Sequence, residues 1–208
     1  ITNCYKDTSV PFGAVNFTAD ALAIKSAGCT GMVGVALLAT DIALTSAVKA
    51  AGISPKTFYY TAYDQNLLNQ PAALQEMQGT YTIGFVNDVP QANAATKKFL
   101  SNLTRYTAYP GGIPSLNVTY SWEATDLMIK GLQLAGPNPT SAKVISKLRN
   151  VSSYNAGGIM PFTIGFTHFG TVNLLPKTYC AWFFQIKGKG YVPYNNDKPI
   201  CGKRTAIS

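Results

Sequence analysis

The sequence predicts an α/β fold built around a mainly parallel sheet, and three features support this prediction. Two helix-to-strand units of nearly the same length follow each other between residues 11 and 64. Their strands are short and continuously apolar, which is typical of a sheet covered by helices on both faces. Their helices carry apolar residues at intervals of three and four, so that each helix has one face suited to burial.

The first unit contains a predicted helix over residues 17–27, a glycine at Gly28 and a predicted strand over residues 32–38. Glycine suits the left-handed conformation that commonly follows the last residue of a helix. The predicted inward face of the helix consists of three apolar residues, Phe17, Ala21 and Ile24.

The second unit repeats this arrangement with a predicted helix over residues 41–51, Gly52 and a predicted strand over residues 56–64. A further strand over residues 79–86 completes the block. The predicted inward face of the second helix consists of Leu44, Ala47, Val48 and Ala51. Sheets of this kind bind ligands beyond the carboxyl ends of their strands, so the edge formed by those ends is the first place to look for a site.

The middle of the chain is predicted to be mainly helical. Residues 87–90 are interpreted as a crossing segment, because a proline after turn-forming residues keeps the chain extended. Helices are predicted over residues 91–106 and 119–135, and Thr140 is predicted to cap another helix that ends at Arg149. The inward residues predicted for the long helix are Ala124, Met128, Leu132 and Ala135. Three helices with hardly a strand need a sheet to cover.

The last part of the chain is predicted to form antiparallel strands. These strands cover residues 159–166 and 179–187, and a hairpin turn at 188–190 leads into a strand over 191–194. Antiparallel strands at the end of a parallel pattern usually form a sheet edge or a connection between lobes. The remaining tail, residues 195–208, is polar.

The four cysteines favour disulfides over a metal site, because none of them forms the C-x-x-C pair that is typical of zinc ligands. A bridge between Cys180 and Cys201 would tie the tail to a strand, and Cys4 and Cys29 could form a second bridge. Buried free thiols are the alternative. An even number of cysteines in a chain with few charges favours an oxidising, extracytoplasmic compartment.

The composition indicates a folded protein and argues against a nucleic-acid partner. The chain is 47% apolar, and its net charge of +8 arises with only 12% charged residues. The basic residues are scattered and form no stripe with interleaved aromatic residues. No apolar run approaches the ~18 residues that cross a bilayer. Residue 1 begins no signal segment, so we expect an exported protein to appear here after processing or as a fragment.

Recognisable catalytic motifs are missing from the sequence. It contains no nucleophile elbow, phosphate-binding loop or dinucleotide fingerprint. His168 follows a predicted strand among aromatic residues and is interpreted as a structural hydrogen-bonding residue. Most of the acidic residues are expected near helix starts or on solvated faces, so the sequence nominates no carboxylate pair for acid-base chemistry. They include Asp20, Asp41, Glu76, Glu123 and Asp126.

A candidate binding surface lies at the predicted carboxyl ends of the first two strands. Aromatic rings beside one carboxylate suit a small organic ligand with an amine or hydroxyl groups, because the rings exclude water and the carboxylate fixes the orientation. Core packing is the alternative for the aromatic residues. The candidate ligand-binding residues at these ends are Leu37, Leu38, Thr40, Thr61, Tyr63 and Asp64.

Six segments share their order and spacing with a known family. They cover residues 10–20, 23–28, 47–52, 63–64, 79–81 and 122–131. Together they resemble the type I periplasmic solute-binding proteins, and among these the branched-chain amino acid, or Leu/Ile/Val-type, receptors of ABC importers. The resemblance covers nearly the whole chain.

The resemblance implies a periplasmic binding protein type I-like fold, with a parallel-sheet, Rossmann-like lobe and part of a second lobe, joined by three crossings. It implies that residues 1–86 form the second lobe, that 87–169 return to the first lobe, and that 170–208 supply crossing strands and a disulfide-tethered tail. It maps the second-lobe ligand contacts of the family onto the six candidate residues. A common member has a tyrosine near Leu37 and a glutamate near Tyr63, where this chain differs.

The resemblance also implies partners and a location. It implies a small-molecule ligand, the membrane subunits of an ABC importer and an extracytoplasmic location, with no cofactor and no catalysis. Such receptors are usually longer and carry their first-lobe contacts in an amino-terminal portion, so this chain resembles their carboxyl-terminal part. A missing portion or a partner chain would then cover the helices of the middle region.

Two other functions stay open at this point. One is a receptor-like fold used as a structural or surface assembly component without a ligand. The other is an enzyme in which His168 lies in a pocket beside a nucleophile.

Overall fold

The computed structural model describes residues 3–84, 86–167 and 178–203, and the chain divides into two compact units. Unit 1 consists of Ile1–Ile83 and Phe183–Tyr194, and unit 2 consists of Gly84–Trp182 and Asn195–Ser208. The chain therefore passes from one unit to the other three times.

Unit 1 holds the repeated helix-to-strand block. Its elements are α1 (Thr18–Ser26), β1 (Gly31–Gly34), α2 (Leu38–Ala50), β2 (Lys56–Tyr59), α3 (Gln65–Leu68), α4 (Pro71–Glu76) and β3 (Tyr81–Gly84). Two later strands complete the sheet: β5 (Gly190–Pro193) and β4 (Thr178–Lys187), of which the part up to Trp182 belongs to unit 2.

The sheet has the strand order β1-β2-β3-β4-β5. The pairs β1–β2 and β2–β3 are parallel, whereas β4 and β5 form an antiparallel hairpin. The predicted parallel sheet with antiparallel strands at its end is confirmed. The hairpin turns at Gly188, whose φ of 62° lies in the left-handed region.

The predicted inward face of α1 is confirmed, because Phe17, Ala21 and Ile24 are buried. On α2, Val48 is buried, and Leu44, Ala47 and Ala51 are partly buried against the same cluster as Ala21 and Ile24. A second cluster packs β2, α3 and α4 together around Tyr59, Leu67, Leu74, Met77 and Ile186. Both clusters are parts of the hydrophobic core of unit 1.

The strands of unit 1 are shorter than predicted. Strand β1 ends at Gly34 rather than residue 38, and α2 begins at Leu38 rather than at Asp41. Strand β2 ends at Tyr59, and the helices α3 and α4 were not predicted. The side chain of Asp64 accepts a hydrogen bond from the Asn66 backbone nitrogen, which caps α3 at the position where the predicted strand would have ended.

Unit 2 contains the predicted helices as α5 (Ala94–Tyr106), α6 (Leu116–Ala135) and α7 (Ser141–Leu148). Side chains of Asn93, Ser115 and Thr140 accept the hydrogen bonds that cap these three helices. The cap predicted at Thr140 is therefore confirmed. A short strand β6 (Ile200–Lys203) pairs antiparallel with the first residues of β4.

Two predictions for unit 2 are wrong. Residues 159–166 do not form a strand: a turn over residues 155–160 has left-handed backbone at Gly157 and Gly158, and only Ile164 forms a bridge, with Tyr154. The inward face predicted for α6 is also wrong, except at Ala135. Ala124, Met128 and Leu132 are exposed, whereas Thr119, Gly131 and Ala135 are buried.

Helix α7 explains the face that α6 buries. A Cβ atom at Gly131 would lie 2.8 Å from Val144 and 2.9 Å from Leu148, so α7 packs onto α6 where α6 has no side chain. Because α7 packs at Gly131, apolar residues on other sides of α6, such as Met128 and Leu132, do not face α7. The sequence periodicity alone does not say which of two apolar faces a neighbouring helix will cover.

Both disulfides expected from the sequence are present. Cys4 bonds to Cys29 in unit 1, and Cys180 bonds to Cys201 in unit 2, which ties β6 to β4. Across the residues that the structure describes, no helix is both long enough and apolar enough to cross a membrane.

Candidate functional site

The candidate site lies in unit 1, at the carboxyl ends of β1 and β2. Two loops, over residues 35–37 and 60–64, follow these parallel strands and form what we call the rim. Strand β1 can end close to β2 because Gly34 has no side chain: a Cβ atom there would lie 2.5 Å from the Tyr59 ring. The Tyr60 backbone nitrogen donates to the Gly34 oxygen at 3.1 Å, so the two loops start side by side.

The first predicted group, Leu37, Leu38 and Thr40, stands at the start of α2. Leu37 is the residue that precedes the helix, and its side chain cannot supply a capping hydrogen bond. Leu37 and Leu38 are half-buried, so both keep part of their apolar surface open. Thr40 is only 3% exposed, and its Oγ1 has no hydrogen-bond partner in the described part of the chain.

Thr61, from the second predicted group, joins the two rim loops. Its Oγ1 lies 2.7 Å from the Ala36 carbonyl oxygen in the first loop and 2.7 Å from Oδ2 of Asp41 on α2. Thr61 is half-buried. The second loop is therefore fixed to both ends of the segment that carries Leu37 and Leu38.

Asp41 lies near the start of α2, as the sequence predicts, but the structure places it on the buried face of the helix and not on a solvated one. Asp41 is 1% exposed, and this burial raises the pKa of its carboxyl group to about 7, against a smaller lowering by the Thr61 hydrogen bond. Asp41 stands four residues before Thr45 and seven before Val48, both buried, so it belongs to the inward face of α2. That spacing is the signal by which the sequence could have identified it.

A second polar network lies beneath Asp41. The Thr45 hydroxyl is 2.9 Å from the Asp41 backbone oxygen and 2.9 Å from the Tyr59 hydroxyl. Because the backbone oxygen can only accept, Thr45 donates to it and accepts from Tyr59. Burial of Tyr59 raises the pKa of its hydroxyl, which keeps that donor protonated. The start of α2 is thus tied to β2 by side-chain hydrogen bonds.

Tyr63 lies inside unit 1 rather than on an open surface. It is 5% exposed, and its ring stacks on Phe184 with a centroid distance of 4.2 Å. Tyr191 contacts the same ring edge-on, with a centroid distance of 4.8 Å. These contacts and the burial of Tyr63 leave little of its ring open to a ligand.

Asp64 already has structural partners. It is 8% exposed, its carboxylate accepts from the Asn66 backbone nitrogen at 2.8 Å, and its own backbone nitrogen donates to the Tyr191 hydroxyl at 3.0 Å. Burial raises the pKa of the Asp64 carboxyl group. Its role as the charged group that receives a ligand stays a prediction.

The structure thus brings the six candidate residues to one edge of the sheet in two groups. Leu37, Leu38 and Thr61 keep part of their surface open, whereas Thr40, Tyr63 and Asp64 are buried. Asp41 is the residue at this edge that sequence reasoning missed.

The acidic residue Glu123 also differs from expectation. It lies on α6 in unit 2, partly buried, with one carboxylate oxygen that has no partner in the described residues, and burial raises the pKa of this group to about 7. No group of three potential metal ligands occurs in residues 3–84, 86–167 and 178–203. His168, interpreted as structural, lies outside the described residues.

A mostly apolar groove of about 640 Å³ lies in unit 2 between the end of α5 and the start of α6. Leu103, Tyr109, Pro110 and Trp122 supply apolar walls, and Asn117 is among the polar residues. None of the six candidate residues lines it.

Comparisons with solved structures show the fold. A leucine-binding protein from Thermotoga maritima is 14% identical, with a TM-score of 0.65, and 88% of this chain covers 48% of it. A fatty acid ABC transporter substrate-binding protein from Thermomonospora curvata is 15% identical, with a TM-score of 0.67 and coverages of 87% and 46%. A solute-binding protein of an ABC transporter from R. palustris, in complex with benzoate, is 15% identical, with a TM-score of 0.64 and coverages of 95% and 51%.

The chain spans about half the length of these structures. No curated protein matches it. The family model described as periplasmic binding protein matches residues 2–191, which is nearly the whole chain. The α/β fold, the mainly parallel sheet and this match lead to one conclusion: the chain belongs to the periplasmic binding protein family.

Proposed function

We propose that this protein is an extracytoplasmic solute-binding receptor, or a large part of one, that captures a small organic molecule for an ABC importer. The family match over residues 2–191 is the observation that carries the proposal. Receptors of this kind act by binding and conformational closure rather than by covalent chemistry, so we propose no enzymatic activity. The two disulfides support an oxidising, extracytoplasmic location.

We propose a small carboxylic acid as the class of ligand, with amino acids as the first members to test. The similar structures are described as binding leucine, a fatty acid or benzoate, and these molecules share a carboxylate attached to an apolar body. The rim of unit 1 offers the half-buried side chains of Leu37 and Leu38 to such a body. The hydroxyl of Thr61 lies beside them.

The six predicted residues have different roles in this proposal. Leu37, Leu38 and Thr61 contact the ligand through the surface that they keep open. Thr40, Tyr63 and Asp64 are buried, and we propose that they contribute mainly by fixing the backbone of the rim. This assignment predicts that changes at the half-buried rim residues Leu37, Leu38 and Thr61 affect ligand affinity more than stability.

The lobe assignment is part of the same proposal. Residues 1–86 would form the second lobe, 87–169 would return to the first lobe, and 170–208 would supply the last crossings and the tail. The similar structures are about twice as long as this chain. We propose that the rest of the first lobe, from the same polypeptide or a partner chain, supplies further ligand contacts.

Exposed apolar residues in unit 2 support the need for such a covering portion. Met128 is 53% exposed, and other apolar residues of α6 and α7 are exposed with it. Large apolar patches are rare on soluble monomers unless a partner covers them. The further residues are Ile129, Leu132, Leu134 and Ile145.

Calorimetric titration of the protein expressed from its complete coding sequence tests the proposal. The panel consists of branched-chain amino acids, amides, benzoate and medium-chain fatty acids. We expect one class to bind, and Leu37→Ala to weaken its binding. A matched control is Leu22→Ala, an exposed leucine on α1 away from the rim. Silence across the panel would instead favour a structural surface component that has the fold but no ligand.

A further inference from the structure

Thr61 has too few protons for the two hydrogen bonds that its geometry requires. Its Oγ1 lies 2.7 Å from the Ala36 carbonyl oxygen and 2.7 Å from Oδ2 of Asp41. A threonine hydroxyl carries one proton, and a backbone carbonyl can only accept. If Thr61 donates to Ala36, the short contact with Asp41 needs a proton on the carboxyl group.

The surroundings of Asp41 agree with a carboxylic acid rather than a carboxylate. The side chain is 1% exposed, and no lysine or arginine in the described part of the chain pairs with it. An unpaired carboxylate in such a place would lose most of its hydration without a compensating charge. The protonated form avoids this cost and can donate to Thr61.

We propose that Asp41 is a positioning residue of the rim: as a protonated carboxylic acid it donates to Thr61, so that Thr61 donates to Ala36 and holds the loop that carries Leu37. Loss of the proton leaves a carboxylate that competes with the Ala36 carbonyl for the single hydroxyl proton. The carboxylate is the stronger acceptor, since charge-assisted hydrogen bonds are the stronger ones. Thr61 then turns to Asp41, and the first rim loop loses the hydrogen bond from Thr61 to Ala36.

The other titratable groups around α2 have partners of their own. On α1, Asp20 accepts from the Tyr5 hydroxyl and Lys25 donates to the Ala51 oxygen. On α4, Glu76 lies 3.6 Å from Lys49 at the far end of α2.

The remaining titratable groups near Asp41 lie on β2 and on the second rim loop. On β2, the Tyr59 hydroxyl bonds to Thr45, and Lys56 lies exposed at the opposite end of the strand. In the second rim loop Asp64 caps α3, and Tyr60 is half-buried with an interaction of its own. Among the residues that the structure describes, Asp41 therefore has no counter-ion that would keep it charged.

The consequence for ligand capture rests on the proposed function, because the rim loops are ligand contacts only in that proposal. The effect of the Asp41 proton on the conformation of the first rim loop does not depend on the proposed function. The proton on Asp41 determines whether the segment with Leu37 and Leu38 is held in place, whichever molecule the rim binds. At pH values below the pKa of Asp41 the Thr61 hydrogen bond holds the first rim loop in place, and at pH values above it this loop is loosened.

Carbon NMR of protein labelled at the aspartate carboxyl carbons tests this directly. We expect one carboxyl resonance, assigned by its loss in Asp41→Asn, to titrate near pH 7, consistent with the raised pKa of about 7 for this group. The other aspartates serve as internal references in the same spectra. Titration of Asp41 near the ordinary aspartate pKa of about 4 would overturn the proposal. The titration itself is measured on the wild-type protein and needs no ligand; the variant serves only to assign the resonance.

Amide hydrogen exchange of residues 35–38 tests the link from Asp41 to the loop. We expect exchange there to rise across neutral pH beyond the increase that base catalysis alone causes. Asp41→Asn should remove this extra rise, because an amide group can donate to Thr61 at every pH. Thr61→Val should give fast exchange at every pH, and Thr61→Ser should restore the wild-type profile.

A matched control and a clear negative outcome complete the design. Glu76→Gln changes an exposed carboxylate of the same unit and should leave the exchange profile of residues 35–38 unchanged. An Asp41→Asn profile identical to the wild type would overturn the proposal. A silent ligand panel together with the expected NMR titration would reject the proposed function alone.

Discussion

Asp41 is a buried acid whose proton stabilises the folded state. Its pKa is raised to about 7 by burial, whereas the unfolded chain has an ordinary aspartate pKa of about 3.9. A group with a raised pKa in the folded state contributes stability below its unfolded pKa and loses that contribution as the pH rises through its folded pKa. The stability of unit 1 should therefore fall between about pH 4 and about pH 7.

Urea unfolding at several pH values measures this effect. About three pKa units at 1.36 kcal/mol each correspond to an upper limit of about 4 kcal/mol. We expect Asp41→Asn to flatten this part of the pH profile. Glu123 contributes with the same sign in unit 2, since its pKa is also raised to about 7, so the difference between wild type and Asp41→Asn isolates Asp41. Equal slopes in the two proteins would contradict the prediction.

Gly34 is the residue whose missing side chain lets β1 and α2 approach β2. A Cβ atom there would lie 2.5 Å from two carbons of the Tyr59 ring, which is fully buried and cannot move away, and 3.3 Å from Oδ1 of Asp41. We expect Gly34→Ala to lower the free energy of unfolding by about 1–3 kcal/mol, the usual cost of overpacking a core.

Gly31→Ala is the matched control in the same strand. A Cβ atom at Gly31 would meet only the Lys56 oxygen, at an ordinary 3.7 Å. We expect this variant to be as stable as the wild type in the same urea experiment. A similar loss of stability in both variants would show that β1 is sensitive to any side chain rather than to the contact with Tyr59.

The sequence predicts the structural role of a single residue well when neighbouring residues in the sequence determine that role. Thr140 caps a helix because it precedes a helical run, and Gly28 follows one with a φ of 64°. The burial of Asp41 and Tyr63 was harder to predict, because the residues that surround them come from distant parts of the chain. Thr61 lies 20 residues from Asp41, and the Tyr63 ring stacks on a strand more than a hundred residues later.

Helix α7 is a short element, eight residues long, that depends on its cap. The Thr140 hydroxyl accepts from the Lys143 backbone nitrogen at 3.2 Å, which satisfies one of the free donors at the helix start. We expect Thr140→Ala to destabilise unit 2 by about 1 kcal/mol. Thr140→Ser keeps the acceptor and should remain near the wild type in chemical unfolding.

The elements themselves were predictable because amphipathic periodicity and turn residues are local signals. Helices α1, α5, α6 and α7 begin and end close to the predicted positions. The inward face of α6 was not predictable, because the sequence of α6 does not say whether α7 packs on the side with Leu132 or on the side with Gly131. In the structure α7 packs at Gly131. The strand predicted at 159–166 failed because its apolar residues pack in a turn, where Ile159 is buried without a strand partner.

The order and spacing of short segments along the whole chain made its family recognisable from the sequence. The sequence resemblance predicted the family, and the match over residues 2–191 confirms it. The ligand could not be predicted in the same way, because the positions that differ from a common member lie on the rim. Open surface at the rim depends on packing by Phe184 and Tyr191, which lie far away in the sequence.

Each compact unit carries its own disulfide, and this allows a matched experiment on the two. Cys180–Cys201 closes a separation of 21 residues in unit 2, and Cys4–Cys29 closes one of 25 residues in unit 1. Loops of this length predict a stabilisation of about 3 kcal/mol per bridge, through the reduced entropy of the unfolded chain.

Both tryptophans, Trp122 and Trp182, belong to unit 2, so their fluorescence reports the unfolding of that unit. Replacing Cys180 and Cys201 together by alanine should lower the stability measured by fluorescence by about 3 kcal/mol. Replacing Cys4 and Cys29 should move the fluorescence transition less and appear mainly in circular dichroism, which also reports the helices of unit 1. A fluorescence transition unchanged by loss of Cys180–Cys201 would mean that this bridge, the covalent tie between β6 and β4, contributes nothing to the stability of unit 2.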